Sequence, residues 1–319
     1  MSNSPTVITI GLHIADILGR PVESIPEGQG LALLDEIRMT IAGTGAATAM
    51  DLARLGTSVS TFAVVGDDVL GRWLTSALGD EGVDVSGIVV DSTVPTSATM
   101  LPIRPNGERP ALHVIGANAK VTGDLIDWDR MSGARHLHLG GSLLLEKIDG
   151  PPTAELLREA TARGMTTSID VIGVPDLDYE LVFGEAYPLL DYLLVNNDDA
   201  MLLSGQPDVP SSILWFLERG VKTCAITTGG AGVIVQSLDG EPIVIPAFEV
   251  EVVDTTGCGD AFSAGFIAAV TRGKSLEEAA LWGVGMGSFT AQALGSDASP
   301  KSFTELQRFI STTPRYKTS

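Results

Sequence analysis

Residues 136–171, HLHLGGSLLLEKIDGPPTAELLREATARGMTTSIDV, decide the fold class. A strand at His136–Leu139 gives way to a helix at Thr153–Arg163, and a strand returns at Thr166–Val171. The order continues downstream with a predicted helix at Tyr179–Tyr187, a strand at Tyr192–Val195, a helix at Asp198–Leu203 and a strand at Thr223–Thr227. Upstream it holds as well: strand Val7–Gly11, helix Ala46–Leu55 closed by Gly56, strand Thr57–Val65 and helix Leu70–Leu78. Strands that alternate with helices build a parallel sheet covered by helices on both faces, so the expected class is α/β.

Two stretches break the alternation. Residues 12–40 are irregular and rich in Gly, Pro and Glu until an apolar alternation resumes at Glu36–Ile41. Residues 96–116 contain two alternating runs, Ser97–Ile103 and Pro110–Ile115, on either side of Arg104-Pro105-Asn106-Gly107-Glu108-Arg109, whose Asn-Gly is a strong hairpin signal. Both read as segments of a small β lid beside the main sheet. After Thr223–Thr227, the turn Gly229-Gly230-Ala231-Gly232 opens a hairpin over Val233–Val244, and helices at Cys258–Thr271 and Ser275–Gln292 close the body. With no internal repeat, low-complexity tract or linker, residues 1–319 are expected to form a single domain.

The composition, 44% hydrophobic and 19% charged, is ordinary for a folded chain. A formal net charge of −20 repels nucleic acid and anionic membrane surfaces, so neither is an expected partner. An anionic ligand would have to be held by local features such as backbone amides and a metal ion. Two cysteines, Cys224 and Cys258, are too few for a disulfide framework and suit a reducing compartment. The opening MSNSPTVITIGL lacks a signal-peptide pattern. No uncharged apolar run reaches the roughly 18 residues a membrane helix needs. A cytoplasmic location is expected.

The chemistry concentrates in residues 253–266, VDTTGCGDAFSAGF, where a Gly-x-Gly turn opens directly into an apolar helix. Glycines there let several N–H groups converge on one point, with the positive end of the helix dipole behind them. Such a point stabilises the negative charge that phosphoryl transfer spreads over oxygen atoms. Asp260, in the first turn, can accept a proton from an attacking hydroxyl. The plain alternative is a first-turn acid that only complements its helix dipole.

These residues resemble the signature of the ribokinase-like (PfkB) carbohydrate kinases, Asp-Thr-Thr-Gly-Ala-Gly-Asp-Ala-Phe followed by Gly-Phe, with Cys258 in place of the alanine. The resemblance implies a ribokinase-like three-layer sandwich with a mainly parallel central sheet and a small β-sheet lid. It implies an ATP-dependent kinase for a hydroxyl of a sugar-like molecule, with Asp260 as base and Gly257, Cys258 and Gly259 forming an anion hole. Asp254 and Thr256 match positions that hold a monovalent cation, usually K+, in several members.

Other stretches follow in the family's order. Residues 42–49, AGTGAATA, resemble the N-terminal signature, with Ala42 for its first glycine and Ala47 for an asparagine that binds sugar. Gly43, Asp16 and the Asn118 of Gly116-Ala117-Asn118 are thereby assigned to the substrate side. Asn196-Asn197-Asp198-Asp199 resembles the family's Asn-x-x-Glu near Mg2+ and phosphate, so Asn196 is expected at ATP and Asp199, one methylene shorter, at Mg2+ through a water. Residues 227–233, TTGGAGV, resemble the turn lining the ATP site and bring in Thr227, Gly229 and Gly232. A homodimer through the lid is a further family-level expectation.

Arg104 and Arg109, on the lid hairpin, could meet an anionic group of the substrate, or simply keep an exposed strand edge from pairing. His138 and Asp170 fall at predicted strand ends facing the site, where a core histidine and a cap explain them equally. A nicotinamide-dependent oxidoreductase would use Gly43-x-Gly45-x-x-Thr48 with Asp67 or Asp68 at the ribose, but it leaves residues 254–260 unexplained. A non-catalytic sugar- or nucleotide-binding regulator on the same scaffold would have no use for Asp260. The acceptor itself, whether ketohexose, sugar acid, sulfonated sugar, polyol or nucleoside, has no signature in the sequence.

Overall fold

The computed structural model describes residues 5–175 and 177–317. Its strands are β1 (Val7–Gly11), β2 (Ile14–Arg20), β3 (Glu36–Ala42), β4 (Val59–Gly66), β5 (Asp84–Asp91), β6 (Ala98–Pro102), β7 (Leu112–Val114), β8 (His136–Ser142), β9 (Thr166–Val171), β10 (Tyr192–Asn196), β11 (Thr223–Thr227), β12 (Val233–Ser237) and β13 (Ile243–Ile245). They form a nine-stranded sheet in the order β13-β12-β11-β10-β9-β8-β1-β4-β5 and a four-stranded sheet in the order β3-β2-β6-β7. From β5 to β11 every pairing in the large sheet is parallel, and only the β11–β12 and β12–β13 pairings are antiparallel. Strands β1, β4 and β8 are buried along their whole length, as a sheet covered on both faces requires.

The first helices are α1 (Thr44–Arg54), α2 (Val69–Asp80), α3 (Pro151–Ala162), α4 (Tyr179–Phe183), α5 (Asn197–Ser204) and α6 (Val209–Glu218). They are followed by α7 (Cys258–Val270), α8 (Leu276–Thr290) and α9 (Phe303–Thr312). One core lies under α3 to α6, where Leu156, Phe183 and Phe216 pack with Ile10 and Leu139. The other lies under α1, α2, α7, α8 and α9, where Met50, Leu74, Phe266, Met286 and Phe309 pack with Val7. The three-layer α/β expectation therefore holds, with the lid as the smaller sheet.

Several elements differ from the sequence reading. Within residues 12–40, β2 is regular and pairs with β3 so that Asp16 stands opposite Thr40. The exposed edge strand β5, and helices α6 and α9, were not foreseen. Each of those two helices starts at a side-chain cap, Asp208 accepting from Ser211 N–H and Ser302 accepting from Glu305 N–H. The helix expected over Tyr179–Tyr187 stops at Phe183, and Pro188 lies in a separate short 3-10 turn.

The chain order in the large sheet runs outward in both directions from the β1–β8 pair. Ligands of open α/β sheets bind at such a switch point, outside the carboxyl ends of the strands. Those ends carry Gly11, Ser142, Val171, Asn196 and Thr227, and the lid sheet stands beside them because β2 leaves β1 after only two residues.

Candidate active site

The N-terminus of α7 is built around Gly257, which takes a left-handed conformation (φ 76°); a Cβ there would lie 2.6 Å from Ser296 Cα. No side chain caps the helix. Cys258 N–H turns back to Thr255 O at 3.3 Å, and the amides of Gly259 and Asp260, which have no partner within the helix, stand at the positive end of its dipole. A Cβ built on Gly259 would meet no atom within 4 Å, so this residue opens onto free space. That space belongs to a cavity of about 230 Å³, with Thr227, Gly229, Cys258 and Gly259 on its wall and Phe248 and Tyr316 closing it. An anionic group fits here, at a helix N-terminus where no side chain fills the space beside Gly259.

Asp260 projects from the same turn. Burial lifts its carboxyl to about 7, and the charge of Asp16 adds to the effect. Asp16 comes from the lid strand β2; burial raises it to about 6, against the opposing hydrogen bond from Thr99 and the charge of Arg109. Asp170, at the end of β9, accepts from Gly141 N–H at 3.2 Å, and burial followed by the charge of Asp260 pushes it well above the usual carboxylate range. Asp199 also acts on Asp170. A carboxyl that titrates near neutrality is suited to accept a proton from an attacking hydroxyl.

At the end of β10, Asn196 caps α5. Its Oδ1 accepts from Asp199 N–H at 2.9 Å and its Nδ2 donates to Asp199 Oδ2 at 2.6 Å, while Gly173 N–H donates to Asp199 Oδ1 at 3.2 Å. Both oxygens of Asp199 are engaged, so a cation would meet this carboxylate most readily through water. Asp170, Asp199 and Asp260 have no ion pair to an arginine or lysine among the described residues. Among the described residues no three acidic, histidine or cysteine side chains cluster closely enough to hold a metal by themselves, so a divalent cation here would need phosphate oxygens and water as further ligands.

The pair expected at a monovalent cation is arranged differently. Asp254 Oδ1 accepts from Thr256 N–H at 2.9 Å and Thr256 Oγ1 at 2.8 Å, and Oδ2 accepts from Gly295 N–H at 2.9 Å. Arg109 Nη1 from the lid hairpin donates to the same Oδ1, and Arg109 Nη2 lies 3.4 Å from Thr255 Oγ1. Asp254 Oδ1 already takes three donors and the guanidinium neutralises its charge, so these residues as they stand do not fit an added cation. Arg104 lies at the hairpin tip, paired with Glu108 at 2.7 Å, and both are exposed. Arg104, Arg109 and Asp254 share a second cavity of about 620 Å³ beneath the lid.

Gly43 is the N-cap of α1 (φ 85°), where a Cβ would lie 2.5 Å from Leu12 O; it shapes the corner between lid and body. Asn118 is fully buried, accepts from His13 N–H at 3.1 Å, and leaves its Nδ2 without a partner. Burial holds Cys258 up at about 12, with Asp260 adding to it, so it remains a thiol. His138 is a core residue, bonded to Ser168 Oγ at 2.8 Å and pushed by burial down to about 3.

Sequence reading missed the C-terminal tail. Tyr316 N–H donates to Ala247 O, Glu249 N–H donates to Pro314 O, and Arg315 bridges Phe248, which brings Tyr316 to the cavity wall. It also missed Thr48, whose hydroxyl lies 3.4 Å from Asp260 O. Neither contact has a local sequence signal.

A family model described as pfkB family carbohydrate kinase matches residues 4–302. Among curated proteins, the chain is 32% identical to an ATP-dependent ribose-1-phosphate kinase of Halopiger xanaduensis, covering 88% of this chain and 90% of the relative. It is 26% identical to a ribokinase of Haemophilus influenzae, covering 84% and 86%. Among solved structures, a ribokinase of Thermotoga maritima superposes with a TM-score of 0.83 at 25% identity, over 97% of this chain and 100% of that one.

Proposed function

The chain belongs to the pfkB family of carbohydrate kinases, and from that premise we propose that it transfers the γ-phosphoryl group of ATP to a hydroxyl of a sugar or sugar-derived small molecule. The observation that carries this reading is the placement of Asp260. It sits on the helix turn beside the cavity lined by Thr227, Gly229 and Gly259, and it feels the charge of Asp16 on the lid.

The nucleotide lies along Thr227, Gly229 and Gly232 with its base toward Phe248 and Tyr316. Its terminal phosphate reaches the amides of Gly257, Cys258 and Gly259. Asp16 and Asn118 hold the acceptor on the other side, Asn118 through its unpartnered Nδ2, with Gly43 shaping the wall behind it. The acceptor hydroxyl gives its proton to Asp260 as its oxygen forms a bond to phosphorus, and the bond from phosphorus to the bridging oxygen of ADP breaks. The first-turn amides stabilise the charge spread over the transferred oxygens. Asn196 and Asp199 would hold Mg2+ through water, and the ion would supply neutralisation of phosphate charge.

The relatives' names support a sugar or a sugar phosphate as acceptor, so the decisive experiment measures ADP release from ATP and Mg2+ with ribose, fructose and ribose 1-phosphate offered singly. Release that depends on one of them is expected. Sugar and nucleotide binding without turnover would instead favour a regulator.

The outer lid face exposes Ile37, Met100, Leu112 and Val114. An apolar surface of this kind supports a homodimer through the lid, which sedimentation would reveal. The free cysteines Cys224 and Cys258 support a reducing, cytoplasmic setting, and the net charge of −20 supports the exclusion of nucleic acid. Among the described residues no helix is long and apolar enough to cross a membrane.

A further inference from the structure

We infer that Arg109 is a built-in cation: its guanidinium takes the place of a bound monovalent ion at Asp254 and ties the lid to the anion-binding turn. This rests on the kinase reading above.

The side chain of Asp254 is 1% exposed and that of Arg109 28% exposed. A carboxylate this buried is strongly destabilising unless a positive charge compensates it. Among the described residues Arg109 is its one ion-pair partner. Asp254 is also the organiser of the turn that precedes α7. Its Oδ1 gathers the N–H and hydroxyl of Thr256, and its Oδ2 holds Gly295 N–H from the neighbouring loop. Immediately beyond this turn come Gly257 and the first-turn amides of α7. Arg109 arrives from 145 residues away in sequence, on the lid hairpin, and also feels the charge of Asp16.

Two consequences follow. Asp254 needs no potassium, because its Oδ1 already takes three donors and the guanidinium of Arg109 meets its charge. The lid hairpin, when it covers the acceptor, delivers the charge that keeps the Asp254–Gly257 turn in its phosphate-binding shape. Arg109 is thus a positioning residue, acting on the amides through Asp254.

The test replaces KCl by tetramethylammonium chloride at constant ionic strength and measures both turnover and the affinity for a non-hydrolysable ATP analogue. Wild-type protein is expected to change less than about twofold in either. R109Q, which leaves the buried carboxylate uncompensated, is expected to lose roughly tenfold or more in kcat in tetramethylammonium and to recover most of it in KCl or guanidinium chloride. R109K should fall between the two. A wild type that needs K+ for turnover or nucleotide binding overturns the inference without any variant. So does an R109Q protein with an unchanged kcat, a raised KM for the acceptor and no response to cations, which would make Arg109 a substrate contact. The affinity measurement separates this inference from the kinase reading, since a chain that binds nucleotide without turning over still reports its cation dependence.

Discussion

The carboxylate of Asp16, on the first lid strand, reinforces the burial that holds Asp260 near 7. Because the folded value is raised, Asp260 is protonated below neutrality and cannot take a proton there. Turnover at saturating ATP and acceptor should therefore rise with pH through about 7 and level off above it. D16N removes the repelling charge, so its acid limb should move to lower pH. A limb that stays in place would exclude Asp16 as a source of the shift.

D260N keeps the size of the side chain and removes its basicity. It should lower kcat by at least ~100-fold, the low end for loss of a general base, while ATP-analogue affinity stays near that of the wild type. Calorimetry alongside steady-state kinetics distinguishes these effects, and a fully active D260N would exclude the assignment.

The neighbouring glycines should respond in opposite ways. At Gly259 an added side chain meets open space, so G259V should fold with an unchanged Tm but block the phosphate cradle and abolish turnover. At Gly257 the left-handed backbone and the 2.6 Å approach to Ser296 Cα oppose any side chain. G257A should lose at least about 1 kcal/mol of stability. Thermal melts and ADP release on both variants check the pair, and equal melting temperatures would contradict it.

Tyr316 tests the nucleotide side. If its ring faces the base, Y316A should raise the KM for ATP a few-fold to about tenfold, matching the ~0.5–1.5 kcal/mol of an aromatic contact. The KM for the acceptor should not move. An unchanged KM for ATP would place the base elsewhere.

What could be read from the sequence was what local chemistry dictates. The strand–helix–strand run at residues 136–171 and the glycine turn before Asp260 carry their own periodicity and backbone demands, and both stand where expected. The lid strand β2 was hidden because its residues alternate only partly between buried and exposed. Edge strand β5 was hidden by its half-exposed pattern. The Arg109–Asp254 pair was beyond reach for another reason: each residue has an ordinary surface explanation until folding joins positions 145 apart. Tyr316 belongs to the same class, since only tertiary pairing with Ala247 gives it a place.

Between β3 and α1 there is a single residue, Gly43, and four positions into that helix Thr48 touches the backbone of Asp260. The lid strand and the helix turn that carries Asp260 are thus joined through one short axle. The far loop between β2 and β3, residues 21–35, is largely exposed and carries no such linkage. Lengthening or recutting that outer rim should retune which molecule is admitted while leaving the phosphate machinery running, whereas one residue inserted at the axle should stall it.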